Sequence, residues 1–216
     1  MYRNRHKFAN QTEYRYMEQN CFQRWVSKYE QEISAIRESA HAVHASVNQA
    51  YDKVHPYGLH LDMVANEVAK YGHEVCVREE DVLPLFFGAY YHDSIEDARQ
   101  SYNDVMKAAK QWMNDEQARM AAEIVYAMTN EKGRTRAERA NEKYYQGIRE
   151  TPYAPFVKLA DRLANFTYSV ESQNEANAYM KDLYIEEMPH FLAAIDAHRE
   201  EDLRFCLPAD MKEKLQ

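Results

Sequence analysis

Four side chains of the 216-residue sequence have the types and the spacing that suit a bound divalent cation. His92 and Asp93 are adjacent and follow a strongly apolar run, whereas His60 and Asp161 lie in two other segments that are otherwise suited to burial. Because Asp is rarely buried alone, Asp161 in the setting VKLADRLAN requires a hydrogen bond, an opposite charge or a metal. Two imidazoles and two carboxylates suit Mn, Fe, Co or Zn and balance one dication. The pattern therefore favours one metal ion held by three segments.

Two further acidic residues, Glu96 and Asp97, follow the His92–Asp93 pair by one helical turn. Residues four apart share a face of a helix, so His92 is expected under Glu96 and Asp93 under Asp97. This much charge beside an apolar run is costly unless a metal, opposite charges or hydrogen bonds compensate it. For a His-Asp pair considered alone, a solvated helix end is the preferred explanation. The two polar residues in the other segments shift the balance toward a metal site.

The composition is typical of one globular domain in a reducing compartment. The net charge of -8 argues against nonspecific binding to DNA or to anionic membranes, and the charged N-terminus has no apolar stretch of the secretory type. No run approaches the roughly 20 apolar residues that a membrane span needs. Three distant cysteines show no metal-binding spacing. These features predict a cytoplasmic protein that binds neither nucleic acid nor membrane.

The scarcity of turn residues predicts an all-α fold. Only 5 Gly and 6 Pro occur in 216 residues, which indicates helices joined by few, short loops. Apolar spacings of three and four predict an amphipathic helix from Phe22 to Ile36, followed by a second helix that ends near Pro56. We therefore predict a helical extension over residues 1–38, which packs on the domain or on a second subunit, and a main domain over residues 39–216.

The segments that carry the four candidate ligands are predicted as buried helices. They are residues 59–72, residues 78–98 and residues 152–170. The middle segment is the most hydrophobic and is expected to be central. A break near Asn114 is predicted to separate two other helices. Residues 130–145 are predicted to form a basic connection, and Pro189 is predicted to interrupt the last helical segment.

The order of these residues resembles the H…HD…D signature of the HD-domain metal-dependent phosphohydrolases. HDSIED resembles the HDxxED box of a narrower branch, the hydrolase domains of RelA/SpoT-type alarmone enzymes and their small stand-alone relatives. YGLHLDMVA is similar to the Tyr-x-x-His segment of that branch, and TNEKGRTRAER and FVKLADRLAN are similar to the segments before and around its last metal Asp. The similarity extends from about Ser39 to Val170.

The resemblance implies an HD-domain helical bundle, with added N- and C-terminal helices, that holds one divalent ion, Mn²⁺. The implied metal ligands are His60, His92, Asp93 and Asp161. Glu96 and Asp97 would orient or deprotonate the attacking water and manage the proton of the leaving group, a contribution of about 10²–10⁴-fold in rate.

The other histidines need separate interpretations. His55 is an alternative first ligand, but the Val-Ala pair four and five residues after His60 favours His60. His44 lies where relatives can also carry a His, and we predict a packed or capping residue there. Four more are expected at the surface or at helix ends: His41, His73, His190 and His198.

An anionic substrate beside four carboxylates requires cations. The candidates are Lys53, Lys158, Arg162 and the cluster of Lys132, Arg134, Arg136 and Arg139. Lys158 and Arg162 are expected on a different face of their helix from Asp161, where solvation is the alternative. The resemblance suggests that Asn165 contacts the sugar or base of a nucleotide.

The implied activity is hydrolysis of a guanosine 3′-pyrophosphate alarmone, (p)ppGpp, to GDP or GTP plus pyrophosphate. The sequence departs from the family pattern in one respect. Alarmone hydrolases tend to carry an Arg-Lys pair ahead of the first metal His, where it helps to hold guanine, whereas this sequence has Gln49 and Ala50 at those positions and only Lys53 as a cation in the loop. Two alternatives stay open. One is a hydrolase of the same scaffold for a nucleoside 5′-monophosphate or an NADPH-like 2′-phosphate, and the other is a catalytically silent nucleotide-binding module. The expected partner is a small nucleotide, and a homo-oligomer is an open alternative to a monomer.

Overall fold

Helices form the regular structure of the chain. The structure, a computed structural model, describes residues 19–172 and 175–215, and within these ranges it contains no β-strand. The prediction of an all-α fold is therefore confirmed. None of the helices in the described ranges is long and apolar enough to cross a membrane. The predictions for the first 18 residues lie outside the described part of the chain.

The α-helices are, in chain order, α1 (residues 19–28), α2 (Glu30–Ser46), α3 (Gly58–Tyr71), α4 (Val82–Tyr91), α5 (Ser94–Asp97), α6 (Tyr102–Ala109), α7 (Asp115–Met128), α8 (Arg136–Arg139), α9 (Glu142–Glu150), α10 (Ala154–Glu171), α11 (Glu175–Ile195) and α12 (Ala209–Lys214). Three short 3₁₀ helices cover Gly72–Glu74, Glu79–Asp81 and Leu203–Phe205.

Helix α4 lies at the centre of the bundle, as its hydrophobicity predicts. All 10 of its residues are buried, and it packs against α2, α3 and α7. At Gly88 the backbone approaches α7 so closely that an added Cβ would lie 2.6 Å from Ile124 Cγ2. Helix α10 contacts α3, α4, α7 and α11. Because α3, α4 and α10 pack on one another, polar residues on their facing surfaces are brought together inside the core.

Several helix ends follow from local sequence signals. The side chain of Asn114 accepts hydrogen bonds from the backbone N–H groups of Glu116 and Gln117 and begins α7, which confirms the predicted break. Gly72 follows the last residue of α3, and Pro155 lies in the first turn of α10, where its missing N–H costs nothing.

The predicted single helix over residues 78–98 is wrong, because the chain interrupts it at the His-Asp pair. Helix α4 ends at Tyr91, and the short α5 begins at Ser94. Nδ1 of His92 lies 2.8 Å from the carbonyl oxygen of Ala89, and Asp93 has non-helical backbone angles. The two side chains therefore lie at a helix junction, where they are not restricted to the spacing of a continuous helix.

Three other boundaries differ from the prediction. Helix α2 runs without interruption through residue 38, and the junction with α1 falls at Tyr29. The region predicted as a polar connection forms α8 and α9, because Thr135 and Asn141 cap them. Helix α11 continues through Pro189, since the buried side chains on either side of the proline keep it packed against α9 and α10. The assignment of residues 1–38 as a separate extension stays a prediction.

Candidate metal centre

Four side chains from three parts of the chain meet at one point in the core. His60 Nε2 lies 3.1 Å from His92 Nε2, 3.5 Å from Asp93 Oδ2 and 3.3 Å from Asp161 Oδ1. His92 Nε2 lies 2.9 Å from Asp93 Oδ2 and 3.8 Å from Asp161 Oδ1. The imidazoles are buried, and the side chains of Asp93 and Asp161 are 20% and 12% exposed. The residues that the sequence singled out therefore converge.

The packing of three helical elements explains this convergence. His60 lies in the first turn of α3, and Asp161 lies near the middle of α10, the helix that packs along α3. His92 and Asp93 follow α4, which contacts both helices. Exposed His55 lies outside this group, with its Nδ1 3.0 Å from Asp52 Oδ2. The geometry therefore favours His60 over His55 as the first member of the set.

The two imidazoles are held in different ways. In His92, an N–H at Nδ1 can donate to the carbonyl oxygen of Ala89, which leaves the lone pair of Nε2 directed at the centre. The Nδ1 atom of His60 is buried and has no hydrogen-bond partner among the described residues. The ring of His60 is stacked instead on Tyr51, with centroids 5.1 Å apart and planes 7° apart. Stacking on Tyr51 therefore orients the ring of His60, as the hydrogen bond to Ala89 orients the ring of His92.

Hydrogen bonds orient the two carboxylates. Tyr57 Oη donates to Asp93 Oδ2 at 2.5 Å. Asp161 Oδ2 accepts from Lys158 Nζ at 2.9 Å, and Asp161 Oδ1 accepts from Asn165 Nδ2 at 2.7 Å. Burial alone would raise the pKa of each carboxyl. The imidazoles of His92 and His60 nevertheless hold the pKa of Asp93 well below the usual range, and Lys158 together with these imidazoles does the same for the pKa of Asp161. Both groups are therefore anions.

These donors fit a divalent cation. Burial by itself lowers the pKa of His60, but the carboxylates of Asp161 and Asp93 outweigh burial and raise that pKa to about 9. The surroundings thus favour a positive charge between the anions. Two Nε2 lone pairs 3.1 Å apart repel each other unless a proton or a metal lies between them. One ligand atom from each of His60, His92 and Asp93 lies within 4.8 Å of the others, and two neutral imidazoles with two carboxylates balance one dication.

The acidic pair on α5 lies beside the centre but in two different settings. The backbone N–H of Asp97 donates to the carbonyl oxygen of Asp93 at 2.8 Å, so one helical turn persists across the junction. Asp97 is half-buried, its Oδ2 is 3.1 Å from Tyr57 Oη, and burial together with the charge of Asp93 raises its pKa. Glu96 is exposed, and its carboxylate accepts from Asn130 Nδ2 at 2.8 Å. The carboxylate of Glu96 is therefore accessible to solvent, and Asp97 contacts the Tyr57 hydroxyl that also holds Asp93.

The prediction that Lys158 lies away from the face of Asp161 is wrong, and the solvated alternative for Arg162 is wrong as well. Lys158 precedes Asp161 by three residues, and residues three apart are neighbours on a helix surface. The ammonium group of Lys158 donates directly to the carboxylate of Asp161. Arg162 is buried, donates to Glu187 Oε2 at 2.9 Å and lies over the ring of Phe191. Glu187, on α11, also accepts from Arg136 at 2.8 Å and 3.0 Å.

The other substrate candidates are distributed around this centre. Lys53, Lys132 and Arg134 are exposed. Asn165 uses both ends of its amide, because its Oδ1 accepts from Tyr51 Oη at 2.8 Å and its Nδ2 donates to Asp161. The assignment of substrate contacts to Lys53, Lys158, Arg162 and Asn165 stays a prediction.

Two tyrosines in contact with the centre received no role from the sequence. Tyr57 was visible in the quoted Tyr-x-x-His segment, where its position three residues before His60 places it beside the ring of that histidine. Tyr51 lies in the loop between α2 and α3, and no periodicity or charge pattern distinguishes it. Only the three-dimensional structure brings Tyr51 to the candidate metal centre.

His44 on α2 supports Tyr57 from behind and should make stability sensitive to acid. It is buried, as predicted, and its ring is stacked on Tyr57 at 4.5 Å. Burial lowers the pKa of His44 from 6.5 to about 4. Between these pH values the unfolded chain binds a proton that the folded chain does not, so the free energy of unfolding should decrease as pH falls through this window. The shift corresponds to about 3 kcal/mol.

Chemical unfolding at several pH values between 4 and 6.5 measures this effect. His44→Phe keeps an aromatic ring against Tyr57 but cannot titrate, so its free energy of unfolding should depend less on pH than that of the wild type. His198→Ala, which removes an exposed imidazole, is the matched control and should keep the wild-type slope. Equal slopes for the wild type and His44→Phe would contradict the prediction.

Comparisons with known proteins support the fold assignment. No protein-family model matches the chain, and no curated protein sequence matches it significantly. A solved structure described as "A metazoan ortholog of SpoT hydrolyzes ppGpp and plays a role in starvation responses" is similar, with a TM-score of 0.57 and 19% identity. The match covers 85% of this chain and 90% of that chain. The chain therefore has the all-α HD-domain fold of this SpoT ortholog.

Proposed function

We propose that the chain is a metal-dependent phosphohydrolase with one divalent ion held by His60, His92, Asp93 and Asp161. The observation that carries the proposal is the convergence of these imidazole and carboxylate groups, with both imidazole Nε2 atoms within 3.8 Å of both carboxylates. The likeness in fold to a structure described as a ppGpp hydrolase supports the same activity class. Mn²⁺ is the proposed ion, since it accepts nitrogen and oxygen donors.

The surrounding residues divide the chemical work. When bound, a divalent ion lowers the pKa of a water molecule and neutralises charge that develops on phosphoryl oxygen. Tyr57 holds the carboxylate of Asp93, and Lys158 holds that of Asp161. The exposed carboxylate of Glu96 would take the proton of the attacking water, and Asp97 would help to return a proton to the leaving group.

The proposed substrate is a guanosine 3′-pyrophosphate alarmone, which is cleaved to GDP or GTP plus pyrophosphate. The HDSIED and FVKLADRLAN segments and the fold support this choice. Because Lys158 and Arg162 pair with carboxylates, the exposed cations Lys53, Lys132 and Arg134 are the better candidates for contacts with substrate phosphates.

Another nucleotide is the second candidate substrate, and a specific observation favours it. Gln49 and Ala50 offer no positive charge where alarmone hydrolases tend to carry an Arg-Lys pair. A nucleoside 5′-monophosphate or an NADPH-like 2′-phosphate would not depend on such a guanine contact.

A product assay separates these possibilities. Purified protein is stripped with a chelator, reloaded with Mn²⁺, and incubated with ppGpp, pppGpp, GMP, AMP and NADPH. Release of pyrophosphate from ppGpp is the expected result. Release of orthophosphate from another nucleotide would favour the second candidate, and tight binding without turnover would identify a silent module and contradict the proposed activity.

A matched pair of histidine variants links the activity to the proposed site. His60→Ala should abolish turnover because it removes one of the four converging groups. His55→Ala removes the nearby exposed imidazole and should leave turnover unchanged. The opposite result would show that His55 is the ligand and would require a different arrangement of the loop.

A further inference from the structure

The loop between α2 and α3 is fastened to α10 beside the metal centre. Tyr51 Oη donates to Asn165 Oδ1 at 2.8 Å, and Tyr168 Oη donates to Asp52 Oδ2 at 2.5 Å. Within the loop, Asp52 Oδ1 accepts from the backbone N–H groups of Val54 and His55 at 2.7 Å and 2.6 Å. These bonds hold the side chain of Tyr51 at a defined place over α10.

Tyr51 reaches two of the proposed metal ligands by different routes. Its ring lies parallel to that of His60, with planes 7° apart, and its hydroxyl connects through Asn165 to Asp161. The atom at the end of this connection is Asp161 Oδ1, which also lies 3.3 Å from His60 Nε2. The connection therefore ends on the oxygen that faces the centre.

The amide of Asn165 has only one favourable orientation in this setting. Its oxygen faces the hydroxyl donor of Tyr51, and its nitrogen faces the carboxylate acceptor of Asp161. A flipped amide would place its oxygen against a carboxylate oxygen, which is repulsive. With Lys158 on Oδ2 and Asn165 on Oδ1, the carboxylate of Asp161 is held at both oxygens.

His60 depends on Tyr51 more than His92 does on any aromatic neighbour. The Nδ1 atom of His92 has a carbonyl acceptor, whereas that of His60 has no hydrogen-bond partner among the described residues. The plane of the His60 ring is set by the face of Tyr51 and by the edge of Tyr57, at centroid distances of 5.1 Å and 5.5 Å. Loss of Tyr51 would leave His60 with one of these two contacts.

We propose that Tyr51 and Asn165 are positioning residues of the metal centre, which hold His60 and Asp161 in the orientation that binds the ion. The inference rests on the proposed metal site and deepens it. It gives the amide of Asn165 a role at Asp161 that does not depend on a bound nucleotide. Residues that orient metal ligands typically contribute about 10- to 100-fold to metal affinity.

Titration of metal-free protein with MnCl₂ in a calorimeter tests this role without measuring activity. Tyr51→Phe keeps the ring over His60 and removes only the hydroxyl, so we expect Mn²⁺ affinity to fall on the order of 10-fold. Asn165→Ala should lower it by about 10- to 100-fold. The variant that combines Tyr51→Phe with Asn165→Ala should bind Mn²⁺ no more weakly than Asn165→Ala alone, because the Tyr51 hydroxyl acts on Asp161 through Asn165. Tyr51→Leu, which also removes the stacked ring, should bind Mn²⁺ more weakly than Tyr51→Phe.

The matched control is Tyr102→Phe. It removes a tyrosine hydroxyl that donates to Glu123 on α7, away from the four ligands, and it should bind Mn²⁺ like the wild type. Thermal unfolding of the metal-free variants checks that each is folded.

Three outcomes would overturn the inference, and the third would also overturn the proposed metal site. Wild-type Mn²⁺ affinity in both Tyr51→Phe and Asn165→Ala would show that neither residue positions a ligand. A raised KM for nucleotide in Asn165→Ala at unchanged Mn²⁺ affinity would show that Asn165 contacts the substrate instead. If the wild-type protein itself binds neither Mn²⁺ nor Zn²⁺, the proposed metal site fails, and this inference fails with it.

Discussion

Asp93→Ala is expected to abolish Mn²⁺ binding and hydrolysis together. Asp93 Oδ2 lies 2.9 Å from His92 Nε2 and 3.5 Å from His60 Nε2, so the substitution removes one of two negative charges at the centre. Residues that only orient a ligand contribute about 10- to 100-fold to metal affinity, and loss of a ligand should exceed that range. Calorimetric titration with MnCl₂ and the nucleotide assay measure the two effects on the same preparation.

The control for this variant is Asp62→Ala. Asp62 is also a partly buried carboxylate, but it accepts from Arg37 at 2.6 Å and lies 3.0 Å from His41, outside the proposed centre. Its removal should leave Mn²⁺ affinity and turnover unchanged. An Asp93→Ala protein that still binds Mn²⁺ and turns over substrate would show that the ligand assignment is wrong.

Glu96→Ala is expected to keep the metal and lose most of kcat, by about 10²–10⁴-fold. The Glu96 side chain is exposed on α5 and accepts from Asn130, and it is not one of the converging groups. Its truncation should therefore change neither the fold nor Mn²⁺ affinity. Steady-state kinetics at saturating Mn²⁺ measure kcat, and the calorimetric titration measures affinity.

Glu123→Ala is the matched control, because Glu123 is another exposed carboxylate on a neighbouring helix. It should retain wild-type kcat. An unchanged kcat in Glu96→Ala would exclude Glu96 from the chemistry, whereas loss of Mn²⁺ binding would identify it as a ligand. Asn130→Ala should give a smaller decrease than Glu96→Ala, since it only frees the carboxylate.

Residue types and their order, together with the family resemblance, predicted the all-α fold and the four side chains that meet in the core. An Asp in a Leu-Ala context and a His beside a buried run carry this information, because an unpaired charge in the core is costly. The interruption at His92 was not predictable, because it depends on a side chain that contacts the backbone of Ala89 in place of continuing the helix. Local apolar content at that position favours an unbroken helix.

Contacts between distant parts of the chain explain why the burial of Arg162 and the role of Tyr51 were missed. The buried position of Arg162 depends on Glu187, which is 25 residues away on another helix. The role of Tyr51 depends on Asn165, which is 114 residues away. Neither pairing has a periodic signal, so no inspection of one segment could have found it.

Through Glu187, the acceptor shared by Arg162 and Arg136, the C-terminal part of the chain affects the charge balance of the candidate metal centre. Arg162 is the residue after Asp161, and Glu187 on α11 accepts hydrogen bonds from both Arg162 and Arg136. A chain truncated after α10 would lose Glu187 together with the rings of Tyr184 and Phe191 that cover Arg162, so this guanidinium would be exposed and without its counter-ion. The guanidinium of Arg162 would then compete with the metal ion for the carboxylate of Asp161. Deletion of a helix that supplies no metal ligand would therefore weaken metal binding.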